Sequence, residues 1–212
     1  MYVRFGSRAD AGRMLAARLT PYRTRAPAVL GLARGGVPVA RVVAEALGAP
    51  LGVLLSLKLR VPGQPELAAG AVAPGVRFIV ADVVRELEIS THYLEVAAEE
   101  LESELTRRAA LLPKPLLPPL TGRHVVIVDD GLASGATAAA AIQSVRLAGA
   151  KHVVVAVPVA SRPGLRRVQI ADEVVVSVVP PAFTVVSDFY EDFTEVTDED
   201  VRQLFNRPPM FA

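Results

Sequence analysis

Short apolar runs alternate with stretches of helical spacing along most of the chain. Residues 27–32 form one such run, which ends at Gly35 and Gly36, and Val37 to Leu47 then carries apolar residues at Val39, Val42, Val43 and Ala46. An apolar run closed by glycines and followed by a 3.6-residue period predicts strand, turn and helix. Leu51 to Leu57 is a second run and Val125 to Val128 a third. After the third comes an alanine-rich helical stretch, Thr137 to Leu147, which stops at Gly149 before Val153 to Val157. Continuous β-branched runs are strands buried on both faces, so the pattern predicts an α/β fold with a parallel central sheet flanked by crossover helices.

A different segment separates the second and third units. Ser90 stands where it can cap a helix running to about Leu112, with Leu94, Leu101, Leu105 and Leu112 on one face and Glu104 and Arg108 as an i, i+4 pair on the other. Pro113, Pro115, Pro118 and Pro119 end this helix and stiffen the connector. An amphipathic wall packed on the domain is the expected role, with a partner-binding or homodimer helix as the alternative.

Composition narrows the function classes. Of 212 residues 51% are apolar and 21% charged, enough for one sizeable core in a single domain. Basic and acidic residues balance at 23 to 22, so the excess that drives DNA-backbone binding is absent and no DNA partner is expected. The chain has no cysteine, hence no disulfide or thiolate chemistry. No stretch reaches the ~18 apolar residues of a membrane span, and the arginine-punctuated first twenty residues lack a leader's apolar core, so a cytoplasmic location is expected. Twenty arginines to three lysines, and a single asparagine, Asn206, fit a heat-adapted source or equally a GC-rich genome.

The segment His124 to Thr137 reads H-V-V-I-V-D-D-G-L-A-S-G-A-T. An apolar strand delivers two carboxylates at its C-terminal end, where ligands sit in open α/β sheets, and a small-residue loop then opens a helix. Gly135 and Ala136 leave backbone N–H groups free to close on a phosphate, and Ser134 and Thr137 add hydroxyl donors. Asp129 and Asp130 can accept from a vicinal diol such as a ribose. Upstream, Gly35 and Gly36 give the backbone freedom to face an anion while Arg34 offers a fork of donors.

The stretch V-I-V-D-D-G-L-A-S-G-A-T resembles the phosphoribosyl-pyrophosphate (PRPP) signature of type I phosphoribosyltransferases. The resemblance implies a five-stranded parallel core over about 26–84 and 120–178, a helical insertion over about 85–119 and a C-terminal hood over about 179–212. It implies that Asp129 and Asp130 hold the ribose hydroxyls and Mg2+, directly or through water, and that Ala133, Ser134, Gly135, Ala136 and Thr137 cradle the 5-phosphate. Ala33, Arg34, Gly35 and Gly36 resemble the family's pyrophosphate loop. Lys58 and Arg60 open a Gly/Pro-punctuated segment, 61–75, that resembles its flexible catalytic loop. Pro180 to Phe193 resembles the hood of 6-oxopurine enzymes, with Phe183 matching the aromatic that stacks on the base and Asp192 a looser match for a nearby acid. Phe189 and Phe193, at i, i+4, read as core packing. One departure matters: the loop position that holds an aspartate in 6-oxopurine enzymes is Ala133.

The implied activity is transfer of the 5-phosphoribosyl group from PRPP to a nitrogenous base, a purine or purine-like one, in nucleotide salvage. The alternative is a regulatory protein that binds PRPP or a nucleotide on the same fold without catalysis. A Rossmann oxidoreductase is disfavoured because no G-x-G-x-x-G follows any strand. His92, His124 and His152 stand in neither metal-ligand nor triad spacing.

Overall fold

The valine-rich runs pair side by side. The computed structural model describes residues 4–112 and 114–206, so Pro113, Phe211 and the last residues of the expected hood lie outside the described residues. In chain order the elements are α1 (Arg8–Leu19), β1 (Ala28–Ala33), α2 (Gly36–Leu47), β2 (Leu51–Leu55), β3 (Leu57–Val61), β4 (Gln64–Ala73), β5 (Val76–Ile79), α3 (Ala81–Glu86) and α4 (Thr91–Leu111). They continue as β6 (His124–Val128), α5 (Ala136–Leu147), β7 (His152–Val159), α6 (Arg162–Arg167), β8 (Glu173–Val178) and α7 (Asp198–Asn206). Five strands form an all-parallel sheet in the order β2-β1-β6-β7-β8.

Period-two alternation divides the side chains of this sheet between two cores. Val126, Val128, Val154 and Ala156 pack with Leu15 and Leu19 of α1 and Val39 and Val43 of α2. Val125, Ile127, Val153 and Val155 pack on the other face with Ala138, Ile142 and Val145 of α5. Each fully buried valine or isoleucine contributes roughly 1.5–3 kcal/mol of transfer free energy. From β1 the chain runs through α2 to β2 on one side, and from β6 through α5 to β7 on the other. The neighbouring strands β1 and β6 therefore mark the point where the strand order reverses, and a crevice opens beyond their C-terminal ends.

The helix capped by Ser90 forms as its sequence indicates. The Ser90 side chain accepts from Tyr93 N, and Leu94, Leu101, Leu105 and Leu112 pack with Leu59, Val61 and Val72. Segment 61–75, likened to a flexible loop, lies within the antiparallel sheet β3-β4-β5 that spans 57–79. The L-K-L-R-V alternation of β3 buries Leu59 and Val61 and turns Lys58 and Arg60 outward. The expected core packing of Phe189 and Phe193 is present, with Phe189 buried and Phe193 packed against the same cluster, but without a helical i, i+4 geometry. Val186–Phe189 is a 3-10 turn followed by extended chain, so Phe189 stacks on Phe183 with ring centroids 5.4 Å apart and Phe193 meets Tyr190 at 5.0 Å.

Candidate active site

Asp129 and Asp130 leave the end of β6 beside the glycine turn that leaves the end of β1. A Cβ on Gly36 would come within 2.5 Å of the Val128 carbonyl oxygen, and one on Gly35 would overlap the Asp130 carboxylate. The paired glycines thus admit the acid pair, a use beyond exposing backbone donors to an anion. The Ala33–Arg34 peptide at this turn is cis.

Asp130 N–H donates to Asp129 Oδ1 at 2.8 Å, and Asp130 Oδ2 accepts from Arg8 Nε at 2.9 Å. Burial, then the neighbouring Asp130 charge, pushes the Asp129 carboxyl well above the ordinary carboxylate range. Asp130 is raised by burial too, but the Arg8 guanidinium opposes the shift. Tyr190, itself buried, donates its hydroxyl to the Asp130 carbonyl oxygen at 2.6 Å. The donor set is two adjacent carboxylates, and among the described residues no cluster of three acidic, histidine or cysteine side chains could hold a metal. Two hard oxygen ligands without a closed cage suit Mg2+, which usually takes one or two carboxylates and completes its shell with water and substrate phosphate.

The loop Ala133–Gly135 then turns into α5, with Gly135 at φ 78 and its Cα side against the Gly164 backbone. The first helical bond runs from Ala139 N to the Gly135 carbonyl at 2.9 Å, and Ala136 N donates to Ser134 Oγ at 3.3 Å. Among the described residues, the N–H groups of Ala133, Ser134, Gly135, Thr137 and Ala138 have no acceptor, nor do those of Gly35 and Gly36. A helix N-terminus with unpaired donors is suited to an anion. The loop is braced from behind: Ser161 Oγ donates to the Ala133 carbonyl at 2.5 Å, Arg167 donates to the Ser134 carbonyl, and Ser56 Oγ donates to the Thr137 carbonyl at 3.1 Å.

Two clefts meet at Lys58. The larger, about 880 Å³, lies among Ala133, Ser134, Lys58, Phe183, Val185 and Arg162. The smaller, about 460 Å³, brings Arg34, Lys58 and Arg60 together with Arg108 under α4. The three expected cations therefore line one space. Arg34 is held there by the C-terminal segment, with Nη2 at 2.8 Å from Glu195 Oε1 and Nε at 4.0 Å from Asp198 Oδ1. Lys58 Nζ donates to the Glu66 carbonyl at 3.2 Å.

Asp192 stands apart from both clefts. Its carboxylate accepts from Thr194 Oγ1 at 2.6 Å and Thr194 N at 3.0 Å, bonds that hold it below its ordinary range and make it a poor proton acceptor. The carboxylates lining the larger cleft are Glu66 and Asp82. The sequence reading also missed Arg8, Tyr190 and Arg167, which reach the site from 33 to 122 residues away along the chain. Only the Ser7–Asp10 cap that starts α1 was locally legible. Among the described residues no helix is long and apolar enough to cross a membrane.

At its switch point the parallel α/β sheet thus carries an acid pair, a loop of unpaired amides and a basic turn. The phosphoribosyl transferase domain family matches residues 6–194, and the chain belongs to that family. The chain is 46% identical over 206 residues to a Mycobacterium tuberculosis (strain H37Rv) protein named "Putative phosphoribosyl transferase Rv0571c", covering 96% of this chain and 46% of that one. It spans about half the length of the curated relatives it matches. Among solved structures, the Thermus thermophilus protein TT1426 is 43% identical with a TM-score of 0.77, covering 96% of this chain and 98% of that one. A hypothetical protein from Neisseria gonorrhoeae, solved with bound ppGpp, shares the fold at 13% identity and a TM-score of 0.54, covering 97% of each chain.

Proposed function

We propose that this domain transfers the 5-phosphoribosyl group of PRPP to a purine or purine-like base and releases pyrophosphate. The observation that carries the reading is the loop of unpartnered amides beside Asp129 and Asp130, opening on the cleft that Lys58 and Phe183 share. In this reading the amides of Ala133 to Thr137 take the 5-phosphate, the acid pair takes the ribose hydroxyls, and the N–H groups of Gly35 and Gly36 with Arg34, Lys58 and Arg60 take the pyrophosphate. A base nitrogen bonds to C1 of the ribose as the C1–oxygen bond breaks and its electron pair leaves on pyrophosphate. Positive charge grows on the ribose and negative charge on the leaving group, so fixed donors and charges supply the acceleration and no nucleophilic side chain is required. Mg2+, held by Asp129 and Asp130 together with substrate, would neutralise phosphate charge.

Phe183, stacked on Phe189, offers a ring face to a flat base. The base proton passes to solvent or to one of the cleft carboxylates Glu66 and Asp82. The division into core, helical insertion and hood belongs to the same proposal. The test is steady-state release of pyrophosphate from PRPP with Mg2+ and adenine, hypoxanthine, guanine, xanthine, uracil or orotate. Release stimulated by one or more purines supports the reading.

The ion pairs that hold Arg34 to Glu195 and Asp198 favour a second reading, in which the site binds PRPP or a nucleotide as a sensor. Saturable PRPP binding with no base-dependent release would select it.

A further inference from the structure

Arg8 is the first residue of α1 and makes three contacts with different parts of its guanidinium. Nε donates to Asp130 Oδ2 at 2.9 Å, Nη1 donates to the Thr194 carbonyl at 2.8 Å, and Cζ lies 3.9 Å from the centroid of the Phe193 ring. Only 11% of the Arg8 side chain and 13% of the Asp130 side chain are exposed. A charge pair taken this far from water is weak support for a fold, because its desolvation offsets much of its attraction. Its value lies in geometry. The ring and the Thr194 carbonyl fix the plane of the guanidinium, which fixes Oδ2, and the Tyr190 hydroxyl holds the backbone of the same aspartate at 2.6 Å. Side chain and main chain of Asp130 are thus both fixed before any ligand arrives.

We propose that Arg8 is a positioning residue for Asp130, clamping one carboxylate oxygen so that the carboxylate meets a ribose diol already oriented. This rests on the reading of Asp130 as a ribose acceptor. Lysine cannot replace the clamp fully, because a single ammonium reaches neither both acceptors nor the ring face in one plane.

The test is calorimetric titration of the full chain, in chelator so that no Mg2+ links Asp130 to phosphate, by ribose 5-phosphate and separately by inorganic pyrophosphate. Arg8→Ala is expected to weaken ribose 5-phosphate about 10- to 100-fold, the range typical of groups that orient a binding residue, and to leave pyrophosphate unchanged. Arg8→Lys falls between. In an Asp130→Asn background, Arg8→Ala should add little, since coupled residues are not additive. Unaltered ribose 5-phosphate binding, equal loss for both ligands, or full additivity overturns the proposal while leaving the ribose reading intact. A wild-type protein that binds pyrophosphate but not ribose 5-phosphate overturns both. If Arg8→Ala does not fold, Arg8→Lys carries the same comparison, and a selective loss of ribose 5-phosphate is again the supporting result.

Discussion

Gly35 lies so close to Asp130 that any side chain at position 35 would overlap the carboxylate. Gly35→Ala must therefore move the acid or the turn. Overpacking of this kind costs about 1–3 kcal/mol, and at roughly 2–4 °C per kcal/mol for a chain of this size the melting temperature should fall by several degrees. Stabilisation by PRPP should also vanish in the variant. A variant with unchanged melting temperature and ligand response would show that the contact constrains nothing.

Asp129 carries a stability consequence with a definite sign. Its carboxyl is raised by burial and by the Asp130 charge, so the folded state binds its proton more tightly than the unfolded chain does. The resulting stability is present at low pH, below the unfolded carboxylate range, and is lost as pH rises through the folded value. Asp129→Asn removes that loss. In metal-free protein the variant should melt higher than wild type near pH 8, and the gap should close toward about pH 4. Thermal denaturation in chelator across this range measures it, and a variant less stable at pH 8 contradicts the assignment.

The cations lining the smaller cleft should matter for rate more than for binding. Arg34→Ala, Lys58→Ala and Arg60→Ala are each expected to lower turnover about 10²- to 10³-fold, by analogy with donors that meet charge developing in a transition state. Glu195, whose side chain is 77% exposed, competes for Arg34 only weakly, because exposed pairs are worth about 0–1 kcal/mol. Glu195→Gln should tighten pyrophosphate by no more than about fivefold, measured as product inhibition. Wild-type rates in all three cation variants would make these residues ordinary surface.

Phe183 tests the acceptor. Stacking on an aromatic contributes on the order of 1–3 kcal/mol per base, so Phe183→Ala should raise KM for the best base about 5- to 150-fold with a smaller change for PRPP. Exclusive reaction with a pyrimidine, or an unaltered KM, would mean that the flat apolar face of the cleft serves another group.

The parallel sheet was legible because its strands are buried on both faces and read as unbroken β-branched runs. β6 and the Asp129–Thr137 loop are one continuous stretch, so strand, acids and amides could be placed from local pattern alone. β8 was harder: Glu173–Val178 is only partly buried on the sheet edge, and its run carries no flanking motif. The hairpin at Lys58 and Arg60 was only partly legible, because glycines and prolines in 61–75 signal a loop, whereas the alternation of β3 and the buried alanines of β4 decide for pairing. Arg8 and Tyr190 escaped notice for a different reason. Their contacts to Asp130 cross 122 and 60 residues, and no local spacing encodes a partner at that distance.

The most direct measurement is the melting temperature of the protein with Mg2+ and saturating PRPP, alongside Asp129→Asn/Asp130→Asn and with NAD(P) as a control nucleotide. A ligand at 100 times its dissociation constant adds about 2.7 kcal/mol, which for this size is a rise of several degrees. The expected result is that rise in the wild type, its loss in the double variant, and no response to NAD(P). An unchanged melting temperature with PRPP, accompanied by a rise with NAD(P), would contradict the assignment of the site.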